Sequence, residues 1–376
     1  MSFVVNAADK QRPLEIGETL CNLDFLDMQG KPFSLYAPTL FAWPKVILLA
    51  DCVADVEPAI SFFLEKFQTF NYTNTVLAVV TKSPPQENNQ LAVRLKLPFP
   101  VLSDLSGQLH AAADFASTTE PRILFVDSNM RLEKIFVGSD LNLISAEALS
   151  HTEKRFQLRQ PAIVPSTPPV LTVTNVLSPD HCQSLIKYWE TGNKHSDLVS
   201  SQNDRSRRKA SLKSRTDVII PAKTTESKLL IQAISQRLCP DIKKAFCFDA
   251  TRFEPFRVGC YDAKEQGHFS LHRDNTAPNT AHRRFALVIN LNTGEYKGGV
   301  LALPEYGTQM LNVQMGTAMV FSGSLLHFAA PVTEGRRFVI VGFFWGEGEQ
   351  QLFRQTHVGK IPIEPDFNLI PNTIGV

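Results

Sequence analysis

Three side chains in the C-terminal half have the types and spacing of a metal-ligand set: His272, Asp274 two residues on, and the distant His327. Two imidazoles and one carboxylate on one face of a ferrous ion leave three positions open, room for a co-substrate and dioxygen. Ten residues after His327 stands Arg337, and a planar guanidinium pairs in two-pronged fashion with a carboxylate. A strand returning past the metal would make it an anchor for the far end of a chelated keto acid. The His-x-Asp triplet alone is a weak signal, since chance supplies it often. A lone strand histidine is more often a hydrogen-bonded residue than a ligand.

The elements that must position these groups strengthen the reading. Strand-like runs surround both ends of the set. His327 follows AMVFSGSLL, an apolar strand that would present it inward, and RRFVIVGFFW returns after it. Side chains alternate along a strand, so Arg336 should face away from Arg337. Gly298 and Gly299 read as a turn or bulge. Upstream, VLTVTNVL (170–177) alternates like a strand. Ser178 then serves as N-cap, Pro179 as first helical residue and Gly192 as stop. Between them Cys182, Leu185, Ile186 and Trp189 share one face. A second helical pattern spans Thr225 to Leu238, with Leu229, Leu230, Ala233, Ile234 and Leu238 inward and Pro240 interrupting it. Helices followed by about eight short strands are the order of a double-stranded β-helix backed by helices.

From about Pro168 to Trp345 the chain resembles the prolyl-4-hydroxylase-type 2-oxoglutarate/Fe(II) oxygenases. The pieces that carry the likeness are GCYDAKEQGHFSLHRDN, RRFALVINLN, YKGGVLALPEYG and SLLHFAAPVTEGRRFVIVGFF, in that order. The resemblance implies His272, Asp274 and His327 as iron ligands and Arg337 as partner of the distal carboxylate of 2-oxoglutarate. Tyr261 falls close to where relatives place a tyrosine lining the co-substrate or substrate pocket, although a strand tyrosine packed on the core fits equally well. Asn290 falls where some relatives set a tyrosine against 2-oxoglutarate. Iron, 2-oxoglutarate and O2 are the implied cofactors, with ascorbate as an accessory reductant. The implied reaction hydroxylates a protein, peptide or amino-acid side chain, proline leading, as 2-oxoglutarate loses CO2 to give succinate. The Asp274 carboxylate favours hydroxylation, because halogenating relatives leave that position small.

The first 150 residues alternate strands and helices, the pattern of an α/β layer fold. KVILLA (45–50) and NTVLAVVT (74–81) are buried-strand runs, Pro58 to Phe70 has helical spacing, and ILFVD with LEKIFVG reads as a closing hairpin. LDFLDMQGKPFSL and TTEPRILFVDSNMRLEKIFVG resemble segments of the peroxiredoxin and thioredoxin-like family, which puts Pro121 where those folds use a cis-proline turn. The peroxidatic chemistry does not carry over cleanly. Cys52 follows its strand too early, lacks the Pro and Thr of that family's cysteine motif, and has no second thiol in DCVADVEP to resolve it. A redoxin scaffold for docking, dimerisation or substrate presentation is the expected role, with homodimer pairing through it.

The organisation expected is thus a thioredoxin-like α/β domain over 1–150 and a Pro-rich linker over 151–169. A mainly-β jelly-roll (cupin-like) domain backed by helices follows over 170–376. Four prolines within residues 161–169 mark the joint. The near balance of 38 basic and 37 acidic residues excludes a global field for nucleic acid or membrane. No apolar run approaches a membrane span and no signal pattern opens the chain, so the cytoplasm is the expected location. Six scattered cysteines without a CxxC pair argue against a disulfide framework or zinc ribbon. The segment 205–215 holds six basic residues; a solvated loop is the expectation, against an acidic-partner site or a nucleic-acid patch. His282, Arg283 and Arg284 open the next strand; solvated charge is the expectation, against one of them facing the pocket mouth. Two competing functions are a thiol peroxidase using Cys52 and an oxygenase acting on a small-molecule metabolite.

Overall fold

The computed structural model describes residues 12–37, 39–40, 42–114, 120–158, 167–196 and 212–356 of the chain. The chain divides into two compact units, Met1–Ile163 and Val164–Val376.

The first unit is built on a mixed sheet. Its elements are β1 (Phe25–Leu26), β2 (Pro32–Phe33), β3 (Lys45–Ala50), α1 (Glu57–Glu65), α2 (Phe67–Tyr72), β4 (Val76–Thr81) and α3 (Pro85–Leu95), then β5 (Val101–Ser103), α4 (Gln108–Ala112), β6 (Arg122–Val126), β7 (Leu132–Val137) and α5 (Leu141–Gln157). The strand order is β2-β1-β5-β4-β3-β6-β7, with β3, β4 and β5 parallel and β6 and β7 antiparallel at the end. This is the thioredoxin-like arrangement. Every residue of KVILLA is buried, as a central parallel strand covered on both faces requires. The stretch 58–70 forms two short helices, breaking at Lys66.

Two expectations are corrected here. The Glu120–Pro121 peptide is trans, for no peptide bond is cis among the described residues. Trans is the lower-energy state of an X–Pro bond, and Pro121 leads directly into the extended β6. The linker does not begin at 151, because α5 continues to Gln157. His151 and Arg155, one helical turn apart, both reach Glu133 on β7, at 3.2 and 2.9 Å. Thr152 is buried and donates to the Ala148 carbonyl at 2.8 Å.

The second unit begins with β8 (Leu171–Val173), α6 (Pro179–Thr191), β9 (His195–Ser196), β10 (Lys213–Ser214), β11 (Thr216–Ile219), α7 (Thr225–Arg237) and α8 (Cys239–Phe246). The strands then follow: β12 (Arg252–Phe253), β13 (Arg257–Asp262), β14 (His268–His272), β15 (Phe285–Asn290), β16 (Lys297–Gly298), β17 (Leu301–Ala302), β18 (Met310–Leu311), β19 (Ala318–Ser322), β20 (His327–Ala329), β21 (Val332–Glu334) and β22 (Arg336–Trp345), before α9 (Glu347–Thr356). A larger sheet runs β8-β19-β15-β22-β13-β11-β9 and a smaller one β10-β14-β20-β17-β18. Both contribute to one cavity, the jelly-roll arrangement.

Strand β22 shows how the layers are assigned. Phe338, Ile340 and Phe344 pack with Cys182, Leu185 and Trp189 of α6 and Leu230 and Ile234 of α7. The alternate residues Val339, Val341 and Phe343 join Tyr261, Met319 and Phe321 in a separate core between the sheets. Each fully buried large apolar side chain contributes roughly 1.5–3 kcal/mol, so the helix layer secures the sheet while the opposite face stays available for chemistry. Ser178 caps α6 through its hydroxyl, which accepts from the His181 amide, and Gly192 ends the helix. Leu229, expected inward on α7, is 49% exposed. The face chosen is Leu230, Ala233 and Ile234, which leaves position 229 outside it.

Candidate active site

His272 ends β14 and His327 begins β20, and the antiparallel register sets the two directly opposite. Asp274 follows in the turn after β14, where its amide donates to the Gly323 carbonyl at 2.9 Å. The ligand atoms of His272, Asp274 and His327 all lie within 4.8 Å of one another. The Asp274 carboxylate stands between the imidazoles, one oxygen 3.4 Å from His272 Nε2 and the other 3.4 Å from His327 Nε2.

Local backbone sets which ring nitrogen each histidine offers. His272 Nδ1 lies 2.7 Å from the Ser270 carbonyl, and His327 Nδ1 lies 2.9 Å from that of Leu325. A carbonyl can only accept, so each Nδ1 carries the proton and each Nε2 keeps its lone pair for a metal. Protonation states agree. Burial by itself would raise the Asp274 pKa, but the neighbouring His272, His327 and Arg283 outweigh it and hold the carboxyl below its ordinary value. Burial pushes His327 down, towards the neutral form a ligand needs. Phe269 stacks on His272 at 3.6 Å between ring centroids, and Phe321 meets His327 edge-on at 4.8 Å. These rings keep water from one side of the site.

The three side chains open into a cavity of about 660 Å³ whose floor includes Tyr261, Val339, Val341 and Arg337. Arg337 is 3% exposed. Among the described residues no carboxylate pairs with it; its Nη2 donates to Asn290 Oδ1 at 2.8 Å, and its buried Nε has no partner. Arg336, its neighbour, faces out. Asn290 is itself fixed, donating to the Tyr296 hydroxyl at 3.2 Å and the Val313 carbonyl at 3.3 Å. The structure thus sets Asn290 against Arg337. Gly298 and Gly299 both have positive φ, and the β16–β21 register shifts there, the expected bulge. Gly299 does more than turn the chain: a Cβ on it would stand 2.9 Å from Arg337 Cδ. Its bareness lets the guanidinium pass.

The donor set suits Fe(II), and the buried, unpaired Arg337 in the same cavity suits the far carboxylate of 2-oxoglutarate. A buried cation without a carboxylate partner is costly, so an anionic ligand is what such a pocket awaits.

Tyr261 is 4% exposed and points into the cavity, its ring 5.4 Å from the Arg337 guanidinium. Its hydroxyl accepts from Arg215 Nη1 at 3.2 Å. Arg215 comes from the basic segment 205–215, of which Arg205, Arg207, Arg208 and Lys209 lie outside the described residues. For Lys213 and Arg215 the solvated-loop expectation is overturned. Both are buried against Asp217: Arg215 grips it through Nε at 2.6 Å and Nη2 at 2.9 Å, and Lys213 Nζ reaches it at 3.0 Å. Gly259 makes room, since a Cβ there would lie 2.9 Å from Arg215 Cδ. The solvated-charge expectation also fails for His282 and Arg283. Arg283 binds Glu254 through Nε at 2.5 Å and Nη2 at 2.8 Å, and fully buried His282 places Nε2 3.0 Å from the same carboxylate. Sequence reasoning missed Glu254, Arg257 and Asp217. The period-2 pairing of Arg215 with Asp217 was the one available sign, because both must face the same side of an extended segment.

In the first unit Cys52 stands two residues after the end of β3, and its thiol, like those of the other cysteines, is free. No helix among the described residues is long and apolar enough to cross a membrane.

Residues 256–345 match the family model of the 2OG-Fe(II) oxygenase superfamily. The chain is 30% identical over 115 residues to a PKHD-type hydroxylase of Azoarcus sp. (strain BH72), covering 29% of this chain and 48% of the relative. It is 31% identical over 99 residues to a PKHD-type hydroxylase of Pseudomonas putida, covering 24% and 42%. The chain thus spans about half the length of the curated relatives it matches, or less. Among solved structures, a Pseudomonas putida prolyl-4-hydroxylase aligns at 19% identity and TM-score 0.38, over 48% of this chain and 95% of that one. Peroxidoxin BcpB from Mycobacterium tuberculosis aligns at 15% identity and TM-score 0.33, over 38% and 97%.

Proposed function

We propose, for a chain whose C-terminal unit carries a 2OG-Fe(II) oxygenase domain, that it is an Fe(II)- and 2-oxoglutarate-dependent hydroxylase. Its substrate is a protein, peptide or amino-acid side chain, prolyl first, and hydroxylation is coupled to conversion of 2-oxoglutarate to succinate. The observation that carries the reading is the pairing, within one cavity, of a His-Asp-His ligand set with a buried guanidinium that has no carboxylate partner.

His272, Asp274 and His327 would hold the ferrous ion through two Nε2 atoms and a carboxylate. When bound, the metal with its co-substrate supplies the oxidising chemistry. The chain's own residues do the rest. Arg337, aimed by Asn290, binds and orients the distal carboxylate of 2-oxoglutarate. Tyr261 closes the floor beside it. The Nδ1 bonds to Ser270 and Leu325 hold ring orientation and tautomer. The apolar rings of Phe269 and Phe321 exclude water from the metal side. The cavity lies within the range that accepts ligands of small-molecule size, which leaves room for a substrate side chain beside the co-substrate.

The test is succinate formation with Fe(II), 2-oxoglutarate and ascorbate, combined with intact-mass screening of prolyl peptides and free amino acids for a gain of one oxygen atom. The expected result is succinate release from wild type and none from His272→Ala. Peroxide consumption that depends on Cys52, without succinate formation, would overturn the proposal.

A further inference from the structure

The cavity carries more positive charge than iron and 2-oxoglutarate can balance. Lys213, Arg215, Arg257, Arg283 and Arg337 all line it. At the rim Arg252 and Arg273 are matched one to one by Glu347 and Glu305. The interior cations have no such match. Asp274 belongs with the metal and Arg337 with the distal carboxylate of 2-oxoglutarate, whose remaining carboxylate completes neutralisation of the ferrous centre. That leaves four cations on two carboxylates. Asp217 is shared by Arg215 and Lys213, and Glu254 is gripped by Arg283 with His282 beside it.

Arg257 is the least satisfied of them. It sits on β13 between the two carboxylates, on the same face as Gly259 and Tyr261. Its Nη2 reaches Glu254 at only 3.4 Å, and its buried Nε has no hydrogen-bond partner. Around it are apolar side chains: Val341 and Ile219 are its cross-strand partners, and Phe343 and Trp345 line the same cavity. A guanidinium held among such groups without a full complement of acceptors needs an incoming anion.

We infer that the substrate presented to this site carries a carboxylate and that Arg257 binds it, making Arg257 a specificity-determining residue. The inference rests on the oxygenase reading, which assigns Asp274 and Arg337 their anionic and cationic partners. The carboxylate could belong to an acidic side chain or to a chain terminus, and the test separates the two.

Full-length protein loaded with Mn(II) in place of iron, and with 2-oxoglutarate, is titrated with three peptides while tryptophan fluorescence is followed. The first is acetyl-Asp-Pro-Asp-amide, the second acetyl-Asn-Pro-Asn-amide, and the third acetyl-Asn-Pro-Asn with a free C-terminal carboxylate. Wild type should bind one carboxylate-bearing peptide at least about tenfold more tightly than the neutral one. Tighter binding of the first assigns the group to a side chain, and of the third to a terminus. Arg257→Met should erase the preference, and Arg257→Lys should keep part of it. Both should bind 2-oxoglutarate as wild type does, and Arg257→Met should melt at the same or a higher temperature, because it removes a surplus charge. Equal binding of all three peptides would overturn the inference. So would a preference that survives Arg257→Met, whether or not that variant melts lower. Failure of wild type to bind Mn(II) and 2-oxoglutarate at all would instead overturn the oxygenase reading on which the charge balance is built.

Discussion

His272 and His327 are direct cross-strand partners between β14 and β20, and their ring centroids lie 4.2 Å apart. The pair is fixed by backbone register, which sets the two imidazoles opposite each other. Asp274, the proposed third ligand, would offer its carboxylate, while its amide is held by the Gly323 carbonyl. Asp274→Ala should therefore lose metal binding in calorimetric titration with Fe(II) or Mn(II) and drop succinate formation to background. Its melting temperature should stay near that of wild type. Activity persisting in this variant would remove the carboxylate from the ligand set.

On the proposed function Arg337 would present charge-assisted donors to a carboxylate, a contact of roughly 1.5–3 kcal/mol net. Arg337→Met should raise the 2-oxoglutarate concentration needed for half-maximal turnover roughly tenfold to a hundredfold. Mn(II) affinity measured without co-substrate should stay unchanged. Asn290→Ala, which removes the aiming hydrogen bond along with those to Tyr296 and Val313 but keeps the guanidinium, should give a smaller change of the same sign.

Gly299 offers a test of positioning without touching any ligand. Its φ of +64° and its approach to Arg337 mean that Gly299→Ala meets both backbone strain, about 1–2 kcal/mol, and a clash with the arginine stem. The variant should be less stable in urea and should weaken 2-oxoglutarate binding, while metal binding is retained. Wild-type co-substrate affinity in a destabilised Gly299→Ala would limit this glycine to turning the chain.

Asp217 links the cavity wall to acid stability. Burial alone would raise its pKa, but Arg215, followed by Lys213 and Arg257, pulls it down to about 2. An unfolded aspartate titrates near ~3.9. The folded value is the lower, so the stabilisation is fully present above about pH 4 and is lost as pH falls towards 2; its size is roughly 2–3 kcal/mol. Urea unfolding between pH 2 and 6 should show this slope in wild type. Asp217→Asn should lose that component and be less stable by roughly 3–5 kcal/mol at neutral pH, since it strands Arg215 and Lys213 without their carboxylate. Glu254, held below its ordinary range by Arg283 and His282 despite burial, keeps some acid sensitivity in the variant. An unchanged pH profile would remove Asp217 as the source of the effect.

Much of this was legible in the residues themselves. Cap and stop signals placed α6 because Ser178, Pro179 and Gly192 act on the backbone beside them. Alternation along a strand separated Arg337 from Arg336, because successive side chains must face opposite ways. The ligand types were readable for the same reason: His272 and Asp274 are neighbours, and their chemistry does not depend on what packs around them. The cations went the other way. Lys213, Arg215 and Arg283 read as solvated charge, and only the tertiary structure took them out of water, the first two with Asp217 on the same stretch of chain and Arg283 with Glu254 on another. Arg215 and Asp217 keep a period of two, but neither their burial nor the pairing of Arg283 with Glu254 across elements has a sequence period, and so the sign and surplus of the cavity's charge belong to the assembled sheets.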